Sequence, residues 1–89
     1  MANVSTAVCS DFQAAQGDYV TFTGIPGTCT ISAIPSQTWP FVNPSPINFP
    51  LPANVRVQIA SGLTVGDSYP YNVSCCMTDS STHTVTITG

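Results

Sequence analysis

The sequence contains no lysine and no glutamate, and it has few charges of either sign. Charged residues make up 6% of the 89 residues, and the net charge is −3. Lysine and glutamate are strong helix formers on protein surfaces, so their absence disfavours helices. A single cation, Arg56, cannot neutralise a series of phosphates or dock the chain on anionic lipid. We therefore expect no nucleic-acid partner.

Long apolar segments are missing as well. No segment reaches the roughly 20 apolar residues of a membrane-spanning helix, so we predict no membrane insertion. Residues 1–5 do not have the basic and apolar regions of a signal peptide. Four cysteines in a short chain of low charge nevertheless favour an oxidising compartment. We predict a secreted or cell-surface protein.

The length of the chain predicts one domain over residues 1–89 that needs cross-links. A chain of this size buries only about 60 to 65% of its unfolded surface, so its core alone stabilises it marginally. Small exported domains commonly compensate with disulfides. Two disulfides are therefore predicted among Cys9, Cys29, Cys75 and Cys76.

Apolar and polar residues alternate in short segments that are separated by turn-forming residues. Alternation with a period of two is typical of strands with one buried face. The predicted strands cover residues 4–8, 19–23, 28–33, 47–51, 55–60, 69–75 and 82–88. Short strands at this spacing predict an all-β fold, an antiparallel β-sandwich of about seven strands with Greek-key connections.

Prolines are concentrated in one segment. Six of the eight lie within residues 35–52, which also contain Trp39 and Phe41. Proline has no backbone N–H to donate to a sheet. We predict that this Pro-rich connection is a long loop or an edge crossing.

Three segments together resemble the strand pattern of cupredoxin-like domains. They are Gly17–Thr23, Gly66–Tyr71 and Thr84–Ile87. In that family a G-D-x-V-x-F strand comes early, and a G-x-Y-x-Y-x-C strand leads to the metal loop. Immunoglobulin-like sandwiches share the same alternation. The resemblance implies a sandwich fold of one of these two types.

The ligands of a blue-copper centre are incomplete in this chain. Such a centre needs two histidines, one cysteinate and usually a weak methionine ligand. His83 is the single histidine, and it lies inside the last predicted strand instead of just after Cys75. We therefore expect no cofactor. An alternative hypothesis is a small copper-binding relative that uses Cys75, Cys76, Met77 and His83 as donors.

Strand parity gives a preferred pairing of the cysteines. Adjacent residues of a strand point to opposite faces, so Cys75 and Cys76 should bond in different directions. If the faces of Cys29 and Cys75 both point inward, these two form a bridge between sheets, and Cys76 pairs with Cys9. A vicinal Cys75–Cys76 bond and the swapped pairing remain alternatives.

Two further features could form binding or catalytic sites. Trp39 and Phe41 lie in a loop, where they could bind a carbohydrate or a peptide, or Trp39 could close one end of the sandwich. His83 would need a nucleophile and an orienting carboxylate to act in catalysis, and no sequence pattern supplies them. We therefore interpret His83 as an ordinary histidine on the surface of a strand and predict no enzyme activity.

The absence of a reaction centre, the Thr/Ser-rich surface and the predicted disulfides together favour a structural protein. We predict a non-enzymatic, exported β-sandwich module with a structural, self-assembling or adhesive role. Its partner would be protein, in a homo-oligomer or a filament. The alternatives are the copper-binding relative and a carbohydrate- or peptide-binding module that uses Trp39 and Phe41.

Overall fold

The computed structural model describes residues 2–24, 27–51, 56–76 and 81–89. Within these ranges the chain forms eight strands and no helix, so no helix there could span a membrane. The strands are β1 (Asn3–Ala7), β2 (Phe12–Ala15), β3 (Tyr19–Thr23), β4 (Gly27–Ser32), β5 (Ile47–Leu51), β6 (Arg56–Gln58), β7 (Ser68–Val73) and β8 (Thr82–Thr88). The prediction of an all-β fold is confirmed.

The strands form two sheets around a shared hydrophobic core. One sheet has the order β1-β3-β6 and the other β2-β8-β7-β4-β5. Alternate residues of each strand point into the core, as Val20 and Phe22 do in β3 and Val85 and Ile87 do in β8. The hairpins β4–β5 and β7–β8 stay within one sheet, whereas every other connection crosses to the opposite sheet.

Aromatic rings fill the centre of this core. The ring of Phe22 stacks on Phe49, with centroids 5.7 Å apart, and meets Phe12 and Phe41 edge to face. Phe41 in turn contacts Tyr71 edge to face, with centroids 5.4 Å apart. Edge-to-face and offset contacts are the favoured geometries of aromatic pairs. These five rings therefore connect β2, β3, β5, β7 and the Pro-rich connection.

The described residues form eight strands where about seven are predicted, and the additional strand is β2. Gln13, Ala14 and Ala15 have low strand propensity, so the segment carries a weak sequence signal. Tertiary contacts instead stabilise this strand, because β2 pairs with β8 and Phe12 lies opposite Val85. Phe12 packs on the core and Ala14 is buried within it. The strand exists because β8 offers it a partner.

The expectation of a wholly antiparallel sandwich is wrong, because two of the strand pairs are parallel. β1 runs parallel to β3, and β2 runs parallel to β8. Antiparallel neighbours can be joined by a tight hairpin, whereas parallel neighbours need a longer connection. Here the chain leaves β1, forms β2 in the opposite sheet and then returns to form β3. This excursion lets β3 pair with β1 in the same direction.

The last predicted segments are confirmed with shifted ends. β7 and β8 form an antiparallel hairpin, with Tyr71 opposite His83. β7 ends at Val73, and Cys75 lies in the following turn instead of in the strand. The turn is attached to β4, because Ser74 N–H donates to Thr30 C=O at 2.9 Å and Thr30 N–H donates to Ser74 Oγ at 2.9 Å. β7 therefore ends at Val73, and at the next residue the Ser74 side chain supplies a hydrogen bond to β4.

Asp18 joins three segments of the chain: the residue before β1, the last residue of β2 and the residue after β6. Its Oδ1 accepts a hydrogen bond from Ala2 N–H, and its Oδ2 accepts one from Ala15 N–H, both at 2.9 Å. Its backbone C=O accepts from Ile59 N–H at 2.9 Å. The two side-chain bonds lower the pKa of the Asp18 carboxyl, because the ionised form accepts both N–H groups.

We expect this carboxylate to make the protein sensitive to acid. Because the folded pKa lies below the unfolded value of 3.8, the stabilisation is complete above that value and is lost as the pH falls through the lower folded pKa. Asp18→Asn should lose about 1 to 2 kcal/mol at neutral pH, the contribution of hydrogen bonds to a charged acceptor. Urea unfolding of both proteins at pH 7 and pH 2.5 measures this. An equal acid loss in the two proteins would assign the effect to another group.

Candidate functional site

The four cysteines form two disulfides. Cys9 is bonded to Cys76 and Cys29 to Cys75, with Cα separations of 5.6 Å and 5.1 Å. These are the pairs that strand parity favours, and neither the vicinal nor the swapped pairing is present. No cysteine is free. The two pairs are compatible with an oxidising, extracellular environment.

The two disulfides lie side by side at the end of β7. The Sγ atoms of Cys9, Cys75 and Cys76 all lie within 4.8 Å of one another. These three residues are half-buried, whereas Cys29 is 0% exposed. A cysteine binds a metal as its thiolate, and no sulfur here is a thiolate while both bonds are intact. Met77, the proposed weak ligand, lies outside the described residues.

His83 lies beside this pair of disulfides. It points inward with Val85 and Ile87 and is 8% exposed, so the interpretation of a surface histidine is wrong. The parity of β8 explains the difference, because the threonines of the strand occupy its other face. His83 Nε2 lies 3.7 Å from Cys76 Sγ. The structure thus brings two of the predicted metal donors, His83 and Cys76, together.

Asp11 orients the His83 ring from the other side. Its Oδ1 lies 3.1 Å from His83 Nδ1 and also accepts a hydrogen bond from Thr84 N–H at 3.0 Å. A carboxylate at Nδ1 favours the tautomer with the proton on Nδ1, which leaves the Nε2 lone pair directed at Cys76 Sγ. Asp11 precedes β2 and lies far from His83 in sequence, so no spacing pattern could have revealed this contact.

Tyr71 lies opposite His83 on the neighbouring strand. Its side chain is fully buried, and within the described part of the chain its hydroxyl has no hydrogen-bond partner. Burial raises the pKa of this hydroxyl, and the negative charge of Asp11 raises it further. Tyr71 is therefore neutral and contributes no charge to the cluster of Asp11, His83 and Cys76.

Trp39 and Phe41 are not exposed together as a ligand clamp would require. Phe41 is 3% exposed and belongs to the core. Trp39 is half-buried, packs edge to face on Phe41 with centroids 5.0 Å apart, and donates from Nε1 to Asn43 C=O at 2.7 Å. Both the ring and the N–H group of Trp39 are thus engaged within the protein. This arrangement is that of a cap over the core.

Arg56, the single cation, lies exposed on β6 as predicted. Its guanidinium lies over the ring of Tyr19, 4.5 Å from the centroid, and Nη1 donates to Asn3 Oδ1 at 3.4 Å. A cation above an aromatic face is attracted by the ring quadrupole. Arg56 therefore spans the outer face of the three-stranded sheet from β6 to β1.

The outer edge of β6 is covered by the Pro-rich connection. Val42 N–H donates to Gln58 C=O, and Ala60 N–H donates to Pro40 C=O, both at 2.8 Å. Gln58 N–H donates to Asn43 Oδ1 at 3.2 Å. These bonds occupy backbone groups that an additional strand would need. The expected edge crossing therefore protects this sheet on one side.

The edges of the five-stranded sheet are also obstructed. At the end of β2, Ala15 and Asp18 exchange two hydrogen bonds. Asp18 Oδ2 accepts from the Ala15 N–H, and the Asp18 N–H donates to the Ala15 C=O. In β5, the register turns the backbone of Asn48 and Pro50 outward, and proline has no N–H to donate. An incoming strand could therefore form only some of the backbone hydrogen bonds of a regular sheet at either edge.

β1 is the remaining edge, and within the described residues one of its outward-pointing backbone groups has a hydrogen-bond partner, the Ala7 C=O, which accepts from the Thr6 hydroxyl at 3.4 Å. Ala2 C=O accepts from Tyr19 N–H at 2.9 Å, and Val8 N–H donates to Thr23 C=O at 2.8 Å. In a parallel pair the bonds from one strand come from alternate residues, here the even-numbered ones. The N–H and C=O groups of the odd-numbered residues therefore point away from the sheet. These residues are Asn3, Ser5 and Ala7, which are all exposed.

Known proteins give no guide to these sites. Comparison of the chain with protein-family models, curated proteins and solved structures finds no match. The sheet edge at β1 and the cluster of Asp11, His83 and Cys76 are therefore judged on their geometry.

Proposed function

We propose that this chain is a non-enzymatic structural module that assembles through the open edge of β1. The observation that carries the proposal is the contrast between β1 and the other three sheet edges. Each of the other three edges is partly covered, capped or interrupted by proline, whereas β1 presents outward-pointing N–H and C=O groups at three alternate residues, and among the described residues only the Ala7 C=O has a partner. An uncharged edge without proline is a template for pairing with another strand.

The arrangement on β1 fits a second copy of the same strand. If two β1 strands meet antiparallel about a two-fold axis at Ser5, Asn3 of each copy lies opposite Ala7 of the other. This register has three pairs of opposed residues, counting Ser5 opposite Ser5. Each pair forms two backbone hydrogen bonds, which gives about six in all. No charged side chain lies on β1, so the axis brings no like charges together. A pairing of this symmetry is closed, and the assembly is a dimer.

Several features of the sequence agree with this role. The charged fraction of 6% leaves little electrostatic repulsion between copies. We propose that the module is secreted or displayed at a cell surface, where its disulfides would be maintained. We further propose that the two sheets form a Greek-key sandwich of cupredoxin-like type. The crossing of most connections between the sheets supports that assignment.

Ser5→Pro tests the proposed edge. The Ser5 N–H points outward and makes no bond to β3, so proline removes an intermolecular donor and leaves the β1–β3 ladder intact. Sedimentation velocity over a range of concentrations should show a monomer–dimer equilibrium for the wild type. The variant should remain a monomer at concentrations at which the wild type is largely dimeric.

Gln13→Pro is the matched control. Gln13 is exposed on β2, and by the register of β2 with β8 its N–H also points away from the sheet. The control should dimerise like the wild type. Two results would contradict the proposal: a wild type that stays monomeric at the highest soluble concentration, or equal loss of the dimer in the two variants. Urea unfolding of each monomer separates weakened assembly from weakened folding.

A further inference from the structure

The cluster of Asp11, His83 and Cys76 places a histidine next to one of the two disulfides, the Cys9–Cys76 bond. His83 Nε2 faces Cys76 Sγ at 3.7 Å, and Asp11 holds the opposite ring nitrogen at 3.1 Å. No such contact to Cys29 or Cys75 is found among the described residues. Cys29 is completely buried, whereas Cys9 and Cys76 are both half-buried. Cys75 is half-buried as well, so an incoming reagent can reach one residue of the Cys29–Cys75 pair but both residues of the Cys9–Cys76 pair.

The position of His83 also distinguishes the two sulfurs of that bond. In thiol–disulfide exchange, a thiolate attacks one sulfur and the other leaves as a thiolate, and stabilising the leaving thiolate accelerates the step. Whenever His83 carries a proton at Nε2, it can donate that proton to the departing Cys76 sulfur, and Asp11 holds the ring in this orientation through Nδ1. Tyr71, the other titratable group facing His83, remains neutral. Cys76 is therefore the leaving sulfur and Cys9 the sulfur that is attacked.

We propose that Cys9 is an S-thiolation site for small aliphatic thiols such as glutathione. The incoming thiolate attacks Cys9 Sγ and forms a new sulfur–sulfur bond there, while the Cys9–Cys76 bond breaks. The electron pair of the broken bond goes to Cys76 Sγ, which takes the proton from His83 Nε2. One disulfide replaces another, so the step involves no net oxidation. In the reverse step Cys76 returns its proton to His83 Nε2, and its thiolate attacks Cys9 Sγ and expels the small thiol as its thiolate.

This exchange would break one of the two disulfide cross-links and leave the other intact. The Cys9–Cys76 bond ties the connection between β1 and β2 to the segment that follows β7. The Cys29–Cys75 bond separately joins β4 to the turn after β7. Thiolation would thus release the β1–β2 connection while the Cys29–Cys75 bond still joins β4 to the turn after β7.

The site can be tested on the intact protein without substitution. The oxidised protein is incubated with reduced glutathione at pH 7, quenched in acid and blocked with N-ethylmaleimide, and its peptides are mapped by mass. We expect glutathione on Cys9, maleimide on Cys76 and an intact Cys29–Cys75 bond in the first product. Glutathione predominantly on Cys76, equal labelling of Cys9 and Cys76, or equally fast opening of the two disulfides would overturn the proposal.

Variants test the part played by His83. General-acid assistance is worth at least about a hundredfold in favourable cases, and we expect His83→Gln to slow opening of the Cys9–Cys76 bond by about tenfold or more. Asp11→Asn should slow it less, because the ring remains. Thr88→Gln, on an exposed position of the same strand, should leave the rate unchanged.

The readout is the separate opening rate of each disulfide. His83 is buried, so its replacement could destabilise the fold, but unfolding would accelerate opening of both bonds. Slower opening of Cys9–Cys76 in His83→Gln, with no acceleration of Cys29–Cys75, therefore supports assistance by the histidine. An unchanged or faster opening of Cys9–Cys76 in that variant would overturn it.

Discussion

Replacing both Cys29 and Cys75 by alanine is expected to lower the free energy of unfolding by about 4 kcal/mol in the chain-entropy model of disulfides. The bond joins residues that are 46 positions apart, so its loss releases a long loop in the unfolded chain. A domain of this size has a total stability of about 5 to 15 kcal/mol. The double variant should therefore lose roughly a quarter to four-fifths of its free energy of unfolding.

The Cys9→Ala/Cys76→Ala double variant is the natural comparison. Loop length alone predicts a slightly larger loss for this pair, because its residues are 67 positions apart. Burial predicts the reverse order, since Cys29 is fully enclosed and alanine would leave a void where its sulfur packs. Urea unfolding at pH 7 measures both losses. A loss below about 1 kcal/mol for the Cys29–Cys75 pair would mean that the unfolded chain is already constrained there.

These cysteine pairs illustrate how much the sequence could reveal. Strand parity is a local property, and it favoured the observed pairing although Cys75 and Cys76 lie just beyond β7. The same parity placed Val57 and Ile59 in the core and Arg56 outside it. Applied to β8, it would also have placed His83 on the inner face with Val85. That position was misinterpreted because a histidine among threonines suggests a solvated strand.

Other features could not be predicted, because they arise from contacts between distant segments. β2 has weak strand propensity and exists through its pairing with β8. The approach of Asp11 to His83 follows from that same pairing, since β2 carries Asp11 to the edge of β8. The open edge of β1 becomes visible only when the bonds of all four edges are known. Both candidate sites thus depend on topology, which residue patterns specify weakly.

The two candidate sites share a segment of the chain. The connection that Cys9 holds lies between β1, the proposed assembly edge, and β2. The bonds that keep β1 on its sheet run to β3, however, and they do not involve Cys9. Assembly and thiol exchange are therefore separable. Ser5→Pro is directed at the edge, and His83→Gln is directed at the Cys9–Cys76 disulfide.

Phe22→Ala is expected to destabilise the protein by about 3 to 5 kcal/mol, the usual loss when a buried phenylalanine is truncated. Phe22 is 1% exposed and lies where the two sheets meet, stacked on Phe49 and edge to face with Phe12 and Phe41. Alanine would remove its contacts with all three rings at once. The void could close only if both sheets moved, so most of the loss should persist.

Two controls make this result specific to the aromatic core. Phe22→Leu keeps most of the volume and should lose less than the alanine variant. Thr23→Ala alters the next position of β3, which is exposed, and should stay within about 0.5 kcal/mol of the wild type. Chemical unfolding of the three monomers decides the order. If Phe22→Ala were no worse than Thr23→Ala, the rings would not be the contact that joins the sheets. In that case the disulfides alone would account for the stability on which an assembly edge at β1 depends.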